Sequence, residues 1–368
     1  MSETETETET GSGPLAGLRI VEFAGIGPAP FAAMLLADLG ATVVRIERPG
    51  ETGAFEVLSR GKTSVAADLK TATDRELVEG LCAGADAIVE GYRPGVMERL
   101  GLGPDVLLAR NPNLVYARMT GWGQTGPLAQ AAGHDINYIA ITGALDAIGP
   151  ADAPVPPLNL VGDYAGGSLY LVMGILAALL AVRGGARGQV VDCAIVDGAA
   201  SLMAVFAELK AHGRWRDGRE RNFLDGAAPF YRTYACADGL PIAFGALEPH
   251  FYARFRVLAG ADDPVFDLRD DETRWPSLRA RFAELFATRT RAQWCALLEG
   301  TDACFAPVLP LGDAPSHPHL VARETFFEME GIVQPAPAPR FSATPSPKPI
   351  AARPAELRAI AEAWLKTG

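Results

Sequence analysis

Residues 18–48 read LRIVEFAGIGPAPFAAMLLADLGATVVRIER: an apolar run, a Gly-rich turn, an apolar-rich helical stretch and a second apolar run. That alternation is a βαβ unit and predicts a parallel sheet. TSVAADL, ATDRELVEGLCAGA, DAIVEGY and LVYARMTGWG continue it as strand, helix, strand and strand, so the first half reads as doubly wound α/β. The 368 residues exceed the roughly 250–300 at which one core stops growing, and a second domain is expected. A polar, Gly-punctuated stretch at 211–228 reads as the linker. Beyond it, PFYRTYACADGLPIAFGAL is a hairpin signal with ADG as its turn, followed by three helical segments, which makes a smaller α+β domain. The expected boundaries are an acidic tail at 1–17, a large domain at 18–210, a small domain at 229–325, and a Pro-rich return with a final helix at 326–368.

Composition limits the function. An apolar share of 49% with 21% charged residues suits a globular chain with a large core. The formal net charge of −11 argues against a general nucleic-acid or anionic-membrane surface, since both need a positive field. Five cysteines (82, 193, 236, 295 and 304) show no paired spacing, and the N-terminus has no apolar signal-peptide core, so the cytoplasm is the expected compartment. The apolar run at 169–182 is shorter than a spanning helix and reads as a buried one. No metal-ligand spacing occurs.

The turn after the first strand has Gly25 and Gly27, with Glu47 placed as the acid of a dinucleotide fingerprint, but position 30 is Pro where close packing asks for a third glycine. It reads as a structural βα turn. Six basic residues, Arg45, Arg48, Arg60, Lys62, Arg93 and Arg99, lie in the first half, and several follow predicted strand ends, where open α/β sheets bind ligands. Two or three together would suit a nucleotide with several phosphates. GHDINY (133–138) and LNLVGDYAGG (158–167) place a histidine and an aspartate 29 residues apart, both before helical stretches. If the fold brings them together, His134 and Asp163 form an acid/base pair; taken singly, His134 reads as structural and Asp163 as an N-cap.

LAGLRIVEFAGIGPAP, GATVVRIERP, GYRPGVMERLGLGP, ARMTGWGQTGPLAQAAGHDINYIA, PPLNLVGDYAGGS and GQVVDCAIVDG together resemble the class III CoA-transferase (CaiB/BaiF) superfamily, over nearly the whole chain after the tail. Within it the chain looks most like the branch that racemises 2-methylacyl-CoA thioesters. The resemblance implies a Rossmann-like CoA-binding domain and an interlocked homodimer. It also implies that Asp163 is catalytic, that His134 is its partner base and that Glu248, of LEP, supports the histidine. Asn159 and Tyr231 would lie near the site, and Arg48 and Arg99 would bind CoA phosphates with Arg93 and Lys62 nearby. No cofactor is implied beyond the CoA of the substrate. One expected departure is a loop near GPADAP about one residue shorter than the family pattern.

Chemistry agrees with that assignment. Inverting a carbon beside a thioester needs one base per face, and the enolate oxygen needs a donor, for which the backbone N–H of Asp135 is the candidate; its side chain reads equally as an N-cap. Two alternatives stand beside the racemase: a CoA-transferase using Asp163 as nucleophile, which needs no second base, and a non-catalytic acyl-CoA binder.

Overall fold

The computed structural model describes residues 12–50 and 56–366, so the acidic stretch at 1–11 lies outside the described residues. The chain divides into two compact units. The first comprises residues up to Thr142, Leu158–Leu202 and everything from Ala322 on; the second comprises Gly143–Pro157 and Met203–Val321.

In the first unit, strands β1 (Arg19–Phe23), β2 (Thr42–Glu47), β3 (Lys62–Ala66), β4 (Ala87–Glu90), β5 (Val115–Thr120), β6 (Val190–Ala194) and β7 (Arg353–Ala355) form one sheet in the order β7-β3-β2-β1-β4-β5-β6. Every pairing is parallel. The doubly wound reading holds, and the order reverses at the β1/β4 junction, where such sheets open a crevice at their carboxyl ends. Alternation explains the layers. Ile20, Val43, Val89 and Ala117 pack on one face against α1 (Pro28–Asp38) and the long helix Tyr170–Arg183. Val21, Phe23, Ile88 and Tyr116 pack on the other, against helix Ala72–Ala83 and the C-terminal helix. Each fully buried branched or aromatic side chain contributes about 1.5–3 kcal/mol by burial.

Several expectations are corrected here. Residues 13–17, assigned to the tail, are pinned: Gly13 N–H donates to Pro345 O at 3.1 Å, Leu15 N–H donates to Leu39 O at 2.9 Å, and Leu15 packs on the core. The linker at 211–228 is an ordered part of the second unit, with Asn222 buried and bonded to both the N–H and the carbonyl of Arg216. Residues 195–211 form two helices, Ile195–Leu202 and Ala204–Ala211, and the unit boundary falls between them. The apolar run at 169–182 belongs to a 24-residue helical stretch, Leu160–Arg183, which is long and apolar enough by length and composition to cross a membrane. Its Leu171, Ile175, Ala178 and Leu179 are nevertheless buried in the core. The return segment adds an unforeseen hairpin, Phe326–Met329 with Ile332–Pro335, and β7 itself.

The second unit has a three-stranded antiparallel sheet, Arg232–Ala235, Pro241–Phe244 and Phe305–Pro307. The ADG turn sits where expected, with Gly239 at φ 75°. Phe244 of that sheet and Phe255, Phe282, Phe286 and Trp294 of the helices are fully buried in one core, and the Trp294 indole N–H is satisfied by Phe286 O at 2.9 Å.

Candidate active site

A cleft of about 560 Å³ opens at the switch point of the first unit. Ile26–Ala29 after β1, Gly91–Pro94 after β4 and Met119–Trp122 at the end of β5 line it, together with His134 and Asp163. The two residues read as an acid/base pair therefore share one cavity.

His134 is the N-cap of α2 (Asp135–Ala140), with extended backbone. Its N–H donates to Asn137 Oδ1 at 3.0 Å, so the histidine is held by the helix it starts while its own side chain stays exposed to the cleft. Tyr138, one turn on, reaches back to donate its hydroxyl to Gly133 O and packs edge-on against Trp122, with centroids 4.8 Å apart. Gly121 and Gly133 make room for that ring: a Cβ at either would lie 2.1 Å and 2.7 Å from it.

Asp163 lies inside a π-helical stretch, Leu160–Leu169, whose N-cap is Asn159; the N-cap reading of Asp163 is thereby corrected. Tyr164 N–H donates to Asn159 O, five residues back, as a π turn requires. Small residues allow it. A Cβ at Gly166 would meet Ala199 N at 2.7 Å, so this stretch crosses α3 (Ile195–Leu202) backbone to backbone. Ser168, fully buried, places its hydroxyl 2.7 Å from Pro28 O and 3.1 Å from Asp163 O, tying the stretch to α1.

Asp135 links the two halves. Its Oδ2 accepts the backbone N–H of Asp163 at 2.7 Å, so its side chain caps nothing in its own helix. Its Oδ1 is buried without a partner. Burial, chiefly, pushes the half-buried Asp163 carboxyl above the usual aspartate range; the neighbouring Asp135 charge adds to this, while Asn159 Nδ2, donating to Asp163 Oδ2 at 3.3 Å, and His134 oppose it. Gly27, at φ 73°, faces the same oxygen, with an added Cβ 3.4 Å away.

Comparison with known proteins identifies the family. Residues 15–356 match the family model described as CoA-transferase family III. The chain is 45% identical to the α-methylacyl-CoA racemase of Mus musculus and 42% identical to that of Homo sapiens, in each case over 90% of this chain and 87% of the relative. A crystal structure of a CaiB/BaiF family protein from Brucella suis superposes with a TM-score of 0.79 at 27% identity, covering 97% of this chain and all of that one. The chain belongs to CoA-transferase family III.

The other positions carried over from the family fall into three groups. Arg93 lines the cleft, and Arg48 and Arg99 are exposed. Lys62 is a correction: its ammonium is fully buried, 2.6 Å from Glu22 Oε2 and 3.0 Å from Pro30 O, which leaves it no face for a phosphate. Arg45 and Arg60 are internal too, Arg60 forking onto Asp38 at 2.6 and 3.0 Å. Glu248 and Tyr231 belong to the second unit. Glu248 is the exposed N-cap of helix Pro249–Ala259, and Tyr231 lines a cavity of about 450 Å³ with Phe244, Gly245 and Cys304. Tyr138, Trp122, Asn137 and Gly27 are site residues that the sequence reading missed. Tyr138 had a readable signal, since four residues after His134 in a helix start is one turn above it.

Proposed function

We propose that this protein racemises 2-methylacyl-CoA thioesters by two-base transfer of the α proton. The observation that carries the reading is that His134 and Asp163 line one cleft, one exposed on a helix N-cap and the other half-buried with its carboxyl raised. Similarity to racemases over 90% of the chain supports it. From one epimer, neutral His134 removes the proton while protonated Asp163 delivers on the opposite face; from the other epimer the roles exchange. The raised carboxyl narrows the gap of about 2.6 units between free His and Asp, which reversible transfer needs. Enolate charge on the thioester oxygen falls to the Asp135 N–H, which as the first helical residue has no carbonyl partner within its helix. CoA enters with the substrate and no further cofactor is used.

The enzyme works as an interlocked homodimer in the cytoplasm. Exposed Met173 and Leu180 on the long helix, with Leu169 just before it, support a partner chain, and an active monomer on size-exclusion chromatography would overturn it.

Proton NMR in deuterated water with a (2R)-2-methylacyl-CoA tests the chemistry. Loss of the α proton with growth of the 2S epimer is expected, and epimerisation vanishes in His134→Ala. Transfer of CoA to an added carboxylate without α exchange would establish the transferase instead.

A further inference from the structure

Arg118 is a buried guanidinium on β5 that no step above uses. It stands in register with Glu90 on β4, on the same sheet face. Its Nε donates to Glu90 Oε1 at 2.8 Å, and its two terminal nitrogens fork onto Glu98, at 2.8 and 3.3 Å. The second oxygen of Glu90 accepts the N–H of Tyr92 at 2.8 Å. One side chain thus holds both ends of the segment 90–99. A single carboxylate would fix one end only; a fork plus a third donor fixes two.

That segment contains Arg93, in the cleft, and Arg99, next to Glu98; both are exposed. The segment is a compact turn: Val96 N–H donates to Arg93 O at 3.1 Å, and the Arg99 guanidinium folds over Gly95, 3.2 Å from where a Cβ would be. Two exposed guanidiniums on one braced loop, at the carboxyl edge of the sheet in a chain of net charge −11, suit a polyanion. We propose that Arg118 is a positioning residue for the phosphate-bearing half of CoA, acting through Glu90 and Glu98 to set where Arg93 and Arg99 stand. The inference rests on the acyl-CoA reading and adds to it the residue that sets affinity for the nucleotide half.

Kinetics with two thioesters of the same acid separates this role from a general structural one. A 2-methylacyl-CoA carries the phosphates; the matching pantetheine thioester does not. In Arg118→Met, KM for the CoA ester is expected to rise at least about tenfold while KM for the pantetheine ester stays within about twofold. Glu98 is 44% exposed, so Glu98→Gln should fold even where Arg118→Met does not, and it is expected to raise KM for the CoA ester alone, by about threefold. Equal changes for both esters, or none for either, would overturn the proposal. If the wild type turns over neither ester, the racemase reading fails, and calorimetry with free CoA decides the inference: Kd must rise about tenfold in Arg118→Met, and an unchanged Kd sinks it.

Discussion

Asp135 Oδ2 accepts the backbone N–H of Asp163 at 2.7 Å, which fastens the loop carrying His134 to the helical stretch carrying its partner. Asp135 therefore places Asp163 and also adds a negative charge beside it. Asp135→Asn keeps an acceptor for that N–H and removes the charge. Asp163 is faced by Asp135, His134 and Asn159, with Tyr138 nearby, and only the Asp135 contribution changes. The Asp163 carboxyl should fall toward the ordinary range, so the limb of the kcat/KM profile assigned to it moves to lower pH. Asp135→Ala loses the tether as well and should lower kcat by about 10²-fold. Superimposable pH profiles for wild type and Asp135→Asn would refute the charge coupling.

The same raised carboxyl carries a stability consequence. The folded protein holds the Asp163 proton to higher pH than the unfolded chain, whose reference is 3.8. Stability is thus lost as pH rises through the folded value, and at neutral pH the buried charge is a net cost. Asp163→Asn should abolish racemisation and raise Tm at pH 7 by about 1–3 °C, a gain that disappears below about pH 4. A lower Tm at pH 7, measured by calorimetry, would contradict this account.

Close backbone contact under the π-helical stretch makes two glycines sensitive. At Gly198 a Cβ would lie 1.8 Å from Gly166 O, and at Gly162 it would lie 2.4 Å from Asp135 Oδ2. Helix propensity favours Ala over Gly by about 1 kcal/mol, while forced overpacking costs about 1–3 kcal/mol or more. At Gly198 the contact is with rigid backbone, so the clash wins: Gly198→Ala is expected to lower Tm and activity together. At Gly162 the contact is a side-chain carboxylate that can swing away, so activity should fall by about 10²-fold with a small change in Tm. Thermal melts alongside kcat for both variants check the contrast.

How much of this was legible in the sequence follows from what each signal depends on. The parallel sheet was legible because apolar runs such as LRIVEF and TVVRIE are buried on both faces and alternate with a helix. The pairing of His134 with Asp163 was named from GHD and GD, but the link through the Asp135 side chain depends on an approach across 28 residues that no local pattern encodes. β7 escaped notice because three residues, RPA, carry no periodicity; pairing with β3 creates the strand. The division at Met203 falls inside a continuous apolar-rich run, where tertiary packing overrides local propensity. Basic residues were the hardest to place. Arg45 and Lys62 face inward because Ser59, at the end of the short helix before β3, and Glu22, on β1, are there as buried partners, which a charge count cannot show.

Lys62 gives the sharpest case. A phosphate ligand and a core ion pair respond oppositely to substitution. Its ammonium and the Glu22 carboxylate have side chains with no exposure, and burial raises the glutamate and lowers the lysine from their ordinary values. Removing one partner leaves the other charged and unpaired in a low-dielectric interior, a loss of about 3–5 kcal/mol, whereas removing both in favour of apolar groups of similar volume is neutral or stabilising. Lys62→Met should therefore unfold at markedly lower urea concentration, and Glu22→Leu with Lys62→Met should recover most of the loss. In the double variant KM for acyl-CoA should match the wild type within about twofold, since no phosphate contact has been removed. A selective tenfold rise in that KM, with stability restored, would return Lys62 to the list of CoA ligands.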